Sequence, residues 1–236
     1  RIMVQGFSTQ AERQSKKFGT LSGSVISSLH MANLPHLSLT QFILYADHGI
    51  NSHIVRLLLE EKRLNYETVF IGEERPEELI ELNPYHTLPI SVNRDISLYE
   101  HNVIFEYLEE RHPVPHLMPD APSERAKVRQ LAWRLQKDWL KHGYTLLTHS
   151  DSFDIQAATA ARKSLSDSLV TIAPLFGHKP YFMSDTFGWC DVLLLPLLWR
   201  LNKMGVHLPT HLIRPLIHYQ EQQFARPSFI NSISFK

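Results

Sequence analysis

Thiol chemistry is nearly absent from this chain, which holds a single cysteine, Cys190. One cysteine excludes an internal disulfide, a CxxC redox pair and a thiolate-rich zinc site, and it fits a reducing cytoplasm. Net charge is absent too. Lysine plus arginine equals aspartate plus glutamate, 24 of each, so no global basic field draws the chain to nucleic acid or to an anionic membrane. Direct sequence-specific DNA binding is therefore not expected, and a role in transcription would run through protein. Long apolar runs are missing as well. The longest, Val192 to Trp199, contains Pro196 and falls far short of the roughly 20 residues that cross a bilayer, so a soluble, cytoplasmic protein is expected.

Histidine is plentiful, with fourteen in the chain, but scattered. His112 and His116 stand at a plausible i, i+4 spacing, but the stretch between them is broken by Pro113 and Pro115 and cannot be helical. No metal is expected. Residues 1–38 stand apart from the rest: they carry Arg1, Arg13, Lys16 and Lys17 against Glu12 alone and show no sustained period. That is how a disordered leader or an upstream extension before Met31 reads, a transit peptide being the alternative.

With 236 residues, 43% of them hydrophobic, the chain can bury a sizeable core in one large or two modest domains. Leu39 to Tyr45 is apolar enough for a buried strand. After the turn-like Asp47-His48-Gly49, Ser52 to Lys62 reads as a helix with Ile54, Val55, Leu58 and Leu59 on one face. Tyr66 to Ile71 makes a second strand and Pro76 to Leu82 a short helix. Leu88-Pro89 then leads into the β-branched run Ile90 to Val92, Asn93-Arg94-Asp95 supplies turn residues, and Ile96 to Tyr99 returns as the second arm of a hairpin. A proline heading a strand cannot donate to the ladder, and such a tight entry calls for a cis Leu88-Pro89 bond. Glu100 opens a last helix with Val103, Ile104, Tyr107 and Leu108 in one stripe. The order is βαβαββα, a small mixed sheet with helices on both faces.

Four prolines between Pro113 and Pro122 stop that helix, dividing a first domain, 39–117, from a second, 122–236, that is helical throughout. Its helices are expected at Ser123 to about Tyr144, Asp154 to about Phe176, Gly188 to about Met204, and near Thr210 to Phe224. Gly188 reads as an N-cap, with Asp191 at N3 placed to reach back to the cap amide. Cys190, at the start of a buried helix, reads as an inert core thiol.

This succession resembles the glutathione transferase fold: a thioredoxin-like N-terminal domain followed by a helical C-terminal domain. The resemblance implies that the residue before the cis proline, Leu88, would pair its backbone with the cysteinyl part of glutathione, and that an acidic residue followed by serine would hold the γ-glutamyl end. Here Glu100 is followed by His101. Aligning Ser52-His53-x-Val55-Arg56 with the family puts the reactive cysteine of its thiol-using classes at Gly49, which has no side chain to react. Gly49, Leu88, Pro89, Glu100 and His101 are thus vestigial positions of a glutathione site, with no catalytic residue and no cofactor expected. The alternative is a glutathione-dependent transferase using Tyr45 or Ser52, although Tyr45 also reads as a packed strand residue and Ser52 as a helix cap.

A closer likeness spans residues 39–233. Leu82-Asn83-Pro84, Leu117-Met118-Pro119, Lys137-Asp138-Trp139, Ile172-Ala173-Pro174-x-Phe176-Gly177-x-Lys179-Pro180-Tyr181-Phe182 and Pro196-Leu197-Leu198-Trp199-Arg200 are similar to the stringent starvation protein A family, a bacterial branch of this fold that associates with RNA polymerase. That resemblance implies a starvation-response transcription regulator, a homodimer, whose partner is the σ-containing RNA polymerase holoenzyme. It places the partner surface at Pro113, Val114, Pro115 and His116, with Val114 where the family typically has histidine. A plain interdomain linker is the other reading of these prolines.

Overall fold

Strand β1, Phe42–Ala46, forms where the chain is apolar on both faces, and all five of its residues are buried. The computed structural model describes residues 42–94, 96–148 and 154–234. The leader expected at 1–38, the first residues of the strand expected from Leu39, and Asp95 of the hairpin turn lie outside the described residues. β1 pairs in parallel with β2, Tyr66–Phe70, and antiparallel with β3, Ile90–Val92, which pairs antiparallel with β4, Ser97–Tyr99. The sheet order is β2-β1-β3-β4. Helix α1, Ile50–Glu61, follows β1, helix α2, Glu78–Leu82, follows β2, and helix α3, His101–Arg111, follows β4. The expected βαβαββα order is present.

By packing, the described residues group into two compact units. One holds 42–47 and 65–100, with the four strands and α2; the other holds 48–64 and 101–234. In the first, alternation puts Ile43 and Tyr45 on one face of β1. They share a buried cluster with Ile90 and Val92, with Leu79 of α2, and with Leu88. The loop between α2 and β3 is shaped by Asn83, itself fully buried. Its amide donates to the Thr87 carbonyl and hydroxyl at 2.8 Å each, while its oxygen accepts from the Tyr85 amide at 3.0 Å. The chain thus enters β3 through the expected cis Leu88–Pro89 bond.

In the second unit, α4, Pro122–Leu135, runs through a π-helical turn, Gln136–Leu140, into α5, Lys141–Thr148. Helix α6, Ile155–Ile172, follows, its N-terminus capped by the Asp154 carboxylate, and then a 3₁₀ turn, Ala173–Gly177. Helix α7, Trp189–Trp199, is buried along ten consecutive residues from Trp189 to Leu198, as its unbroken apolar run requires. Helices α8, Arg214–Phe224, and α9, Pro227–Ser232, complete the unit.

Several boundaries differ from expectation. Gly49, with extended backbone (φ −72°, ψ 173°), is the N-cap of α1, so Ser52 is a fully buried residue inside the first turn and not a cap. Helix α7 ends at Trp199, short of Met204, where the chain passes into turns closed by Gly205 at φ 68°. Helix α8 starts only at Arg214, with Pro215 in its first turn, a position proline favours because the amide there has no helical partner. Among the described residues no helix is long and apolar enough to cross a membrane.

Candidate functional site

The positions that would hold glutathione fall in both units. Leu88, Pro89 and Glu100 belong to the first, Gly49 and His101 to the second. Glu100 adopts φ 70°, a left-handed conformation uncommon for a residue with a β-carbon. His101 opens α3 and is buried, its ring 6.3 Å from that of Trp189. Tyr45 belongs to the buried cluster under α2, where burial and then the Glu67 carboxylate push its phenol up. Cys190 is buried as well; burial and the neighbouring Asp191 carboxylate push its thiol up to about 12, which keeps it protonated and a poor nucleophile.

The polar side chains behind Gly49 face inward. The Nη1 of Arg200 donates to Nδ1 of His53 at 2.8 Å, so the proton of the neutral ring sits on Nε2, which donates to the Ser232 hydroxyl at 2.9 Å. Ser232 donates on to the Phe229 carbonyl at 2.7 Å, and Arg56 Nε donates to the Ser232 carbonyl at 2.8 Å. Burial, then Arg200, then Arg56 hold the His53 imidazole well below its ordinary range. This end of α1 fastens α9 in place.

The opposite end of α1 supports the proline loop. Lys62, whose side chain is wholly buried, meets the buried Glu109 of α3 at 2.5 Å. Its ammonium also donates to the carbonyls of His112 at 2.9 Å and Pro115 at 2.7 Å. The Glu109 carboxylate in turn accepts the amides of Leu117 and Met118 at 3.2 Å. One ion pair therefore fixes the loop from both sides, satisfying the lone pairs and protons that make a buried pair tolerable. The Val114–Pro115 bond is cis. What emerges is a presented edge: Pro113 and His116 are exposed, and Val114 keeps 71% of its surface open.

A cleft of about 440 Å³ lies beside this edge, between Pro115–Leu117, the end of α1 and the start of α9. Its wall carries a fork in which Arg226 Nε and Nη2 reach the two Glu61 oxygens at 3.0 and 2.9 Å, with the Ser228 hydroxyl on the same carboxylate. The Arg226 guanidinium also covers the Phe187 ring at 3.9 Å.

Under the loop, the Leu117 carbonyl accepts the Trp189 amide at 2.9 Å. A β-carbon at Gly188 would stand 3.1 Å from that carbonyl, which explains glycine at this cap. Asp191 reaches back to the Gly188 amide at 2.9 Å, as its spacing indicates, and also accepts from the Phe182 amide at 2.9 Å and the Tyr219 hydroxyl at 2.6 Å.

Residues 50–111 match the family model for the glutathione S-transferase N-terminal domain. The chain is 40% identical to the stringent starvation protein A homolog of Haemophilus influenzae, over 78% of this chain and 85% of that protein. It is 39% identical to the Coxiella burnetii homolog, over 78% and 87%. The chain belongs to the stringent starvation protein A family. Its fold is that of the glutathione transferases: a crystal structure of a glutathione S-transferase from Rhodospirillum rubrum superposes with a TM-score of 0.75 at 24% identity, covering 83% of this chain and 93% of that one.

Within this family member, reading along the sequence finds the proline loop but not its support. Lys62 and Glu109 lie 47 residues apart, and neither carries a local mark of pairing. Arg63 also lines the cleft. Its one available signal is position, directly after the last turn of a helix.

Proposed function

We propose that this chain is a cytoplasmic starvation-response transcription regulator that binds the σ-containing RNA polymerase holoenzyme through its proline loop and has no glutathione transferase activity. The observation that carries this reading is the Lys62–Glu109 pair: a buried ion pair whose further hydrogen bonds all go to the backbone of residues 112–118, while Val114 is left exposed. A rigid, partly apolar edge of this kind is suited to shape-complementary contact with a protein. Binding through protein also suits a chain with no excess of basic residues, because affinity for DNA rests largely on cations that displace counterions. The absence of a side chain at Gly49 and the raised thiol of Cys190 weigh against thiol chemistry. The protein acts as a homodimer, for which exposed Val103 on α3 and Trp133 on α4 offer apolar surface.

The test is co-elution of the full chain with purified σ-containing holoenzyme, repeated with Pro113, Val114 and Pro115 each changed to alanine. Retention of the wild type and loss of the variant support the reading. If the wild type never co-elutes the polymerase reading falls, and glutathione-dependent turnover lost in Tyr45→Phe or Ser52→Ala would establish the transferase in its place.

A further inference from the structure

We propose that the cleft beside the proline loop accepts an acidic segment of a partner protein, and that Arg63 anchors its carboxylate. The inference rests on the reading of the loop as a docking surface and adds the chemistry of what docks.

The charges around the cleft are unequally committed. Glu61 is occupied by both arms of Arg226 and by the Ser228 hydroxyl. Arg226 is likewise held, by Glu61 and by the face of Phe187. The Glu60 carboxylate accepts the Asn231 amide at 3.3 Å. Arg63 differs. It is exposed, and among the described residues its guanidinium has no ion-pair partner. Of the two arginines lining the cleft, Arg63 is the one left without a carboxylate.

Arg63 also stands where a side chain is disfavoured. Its φ of 54° is left-handed, its amide bonds the Glu60 carbonyl and the next amide, of Leu64, bonds the Leu59 carbonyl. That is the Schellman end of a helix, where glycine is the usual occupant because it has no β-carbon. Local stability alone would therefore favour glycine at this place.

The same charges select among anions. A phosphate would bring up to two negative charges against a wall that already holds the Glu60 and Glu61 carboxylates, and repulsion disfavours it. A single carboxylate on an otherwise uncharged peptide brings one charge to the one guanidinium and fits better, with the apolar remainder against Pro115, Leu117 and Phe187. The volume, about 440 Å³, falls in the range of about 300–1,000 Å³ typical of binding clefts.

The experiment titrates the isotope-labelled full chain with the blocked peptide Ala-Glu-Leu-Ala-Ala and with its lysine counterpart, at low and moderate salt, following amide shifts around the cleft. The wild type should bind the acidic peptide in a salt-sensitive way and ignore the basic one, and Arg63→Gly should weaken binding at least tenfold. Because glycine suits the backbone at this position, that loss would not reflect unfolding. Equal binding by Arg63→Gly, preference for the lysine peptide, or no binding by the wild type would overturn the proposal. The docking reading is separable. Holoenzyme capture that is lost in Val114→Asp but unchanged in Arg63→Gly sinks the Arg63 assignment alone, whereas peptide binding without holoenzyme capture sinks the polymerase reading alone.

Discussion

The two ends of helix α1 carry the contrast on which this protein is built. At the N-terminal end, Gly49 offers no side chain, and His53, Arg56 and Arg200 direct their hydrogen bonds inward to hold Ser232 and α9. At the C-terminal end, Lys62 is just as deeply buried, yet its bonds run to a loop whose tip is exposed. In a transferase of this fold the first end would carry chemistry. On the reading proposed above, it serves here as a fastening, and the second end presents a surface. Buried polar groups thus mark both ends, and only the destination of their hydrogen bonds separates a structural role from a presented one.

The contrast breaks most sharply at Lys62. Lys62→Met leaves Glu109 buried with its charge unpaired, and should cost about 3–5 kcal/mol in denaturant unfolding together with holoenzyme capture. Lys62→Met combined with Glu109→Leu should regain much of the stability but not the capture, because the loop carbonyls and amides stay unheld. The opposite end can be strained from beneath: a β-carbon at Gly143 would stand 2.7 Å from Cδ1 of Ile50 and 2.6 Å from Cδ1 of Leu197. Gly143→Ala should therefore lower stability by about 1–3 kcal/mol while leaving capture intact in the folded fraction.

Acid should act on the N-terminal end. The folded-state pKa of His53 lies well below its ordinary value, so below about pH 6.5 the unfolded chain takes up a proton that the native ring refuses. The stability contributed by the neutral ring is full above that pH and is lost progressively as pH falls towards the folded-state value. The slope should be read as the difference between wild type and His53→Gln. Asp191, pushed up to about 6 by burial, runs the other way, gaining stability as pH falls from about 6 towards its unfolded value. An absence of any difference between the two proteins from pH 7.5 to 5.5 would contradict the inward hydrogen-bond chain.

The smaller effects sharpen the same contrast. Arg63→Gly should raise stability by about 0.5–1 kcal/mol, the roughly 1–2 kcal/mol cost of a left-handed residue with a β-carbon less the extra entropy glycine loses on folding, measured as a rise in the denaturant midpoint. Gly49→Ser should change stability by only a few tenths of a kcal/mol, because glycine is already a fair cap. No glutathione-dependent turnover should appear with that variant.

Local chemistry was legible in the sequence and distant pairing was not. The cis Leu88–Pro89 bond, the hairpin after it and the Gly188–Asp191 cap each follow from residues within a few positions of one another. Ser52 was misplaced because an extended glycine can cap a helix without any side chain to announce it. Helix α9 escaped because six residues are too few to show a period, and the π turn at Gln136–Leu140 keeps the same apolar spacing as the helix around it. The Lys62–Glu109 pair and the Arg200–His53–Ser232 chain join residues that only the fold brings together. These are the groups that distinguish the two ends of α1.

The most direct test compares three proteins for capture of purified σ-containing holoenzyme: wild type, Val114→Asp and Gly49→Ser. The account predicts capture by wild type and Gly49→Ser and its loss in Val114→Asp, with all three folded. Capture by Val114→Asp equal to wild type would contradict it, and so would glutathione turnover by the wild type that Ser52→Ala removes.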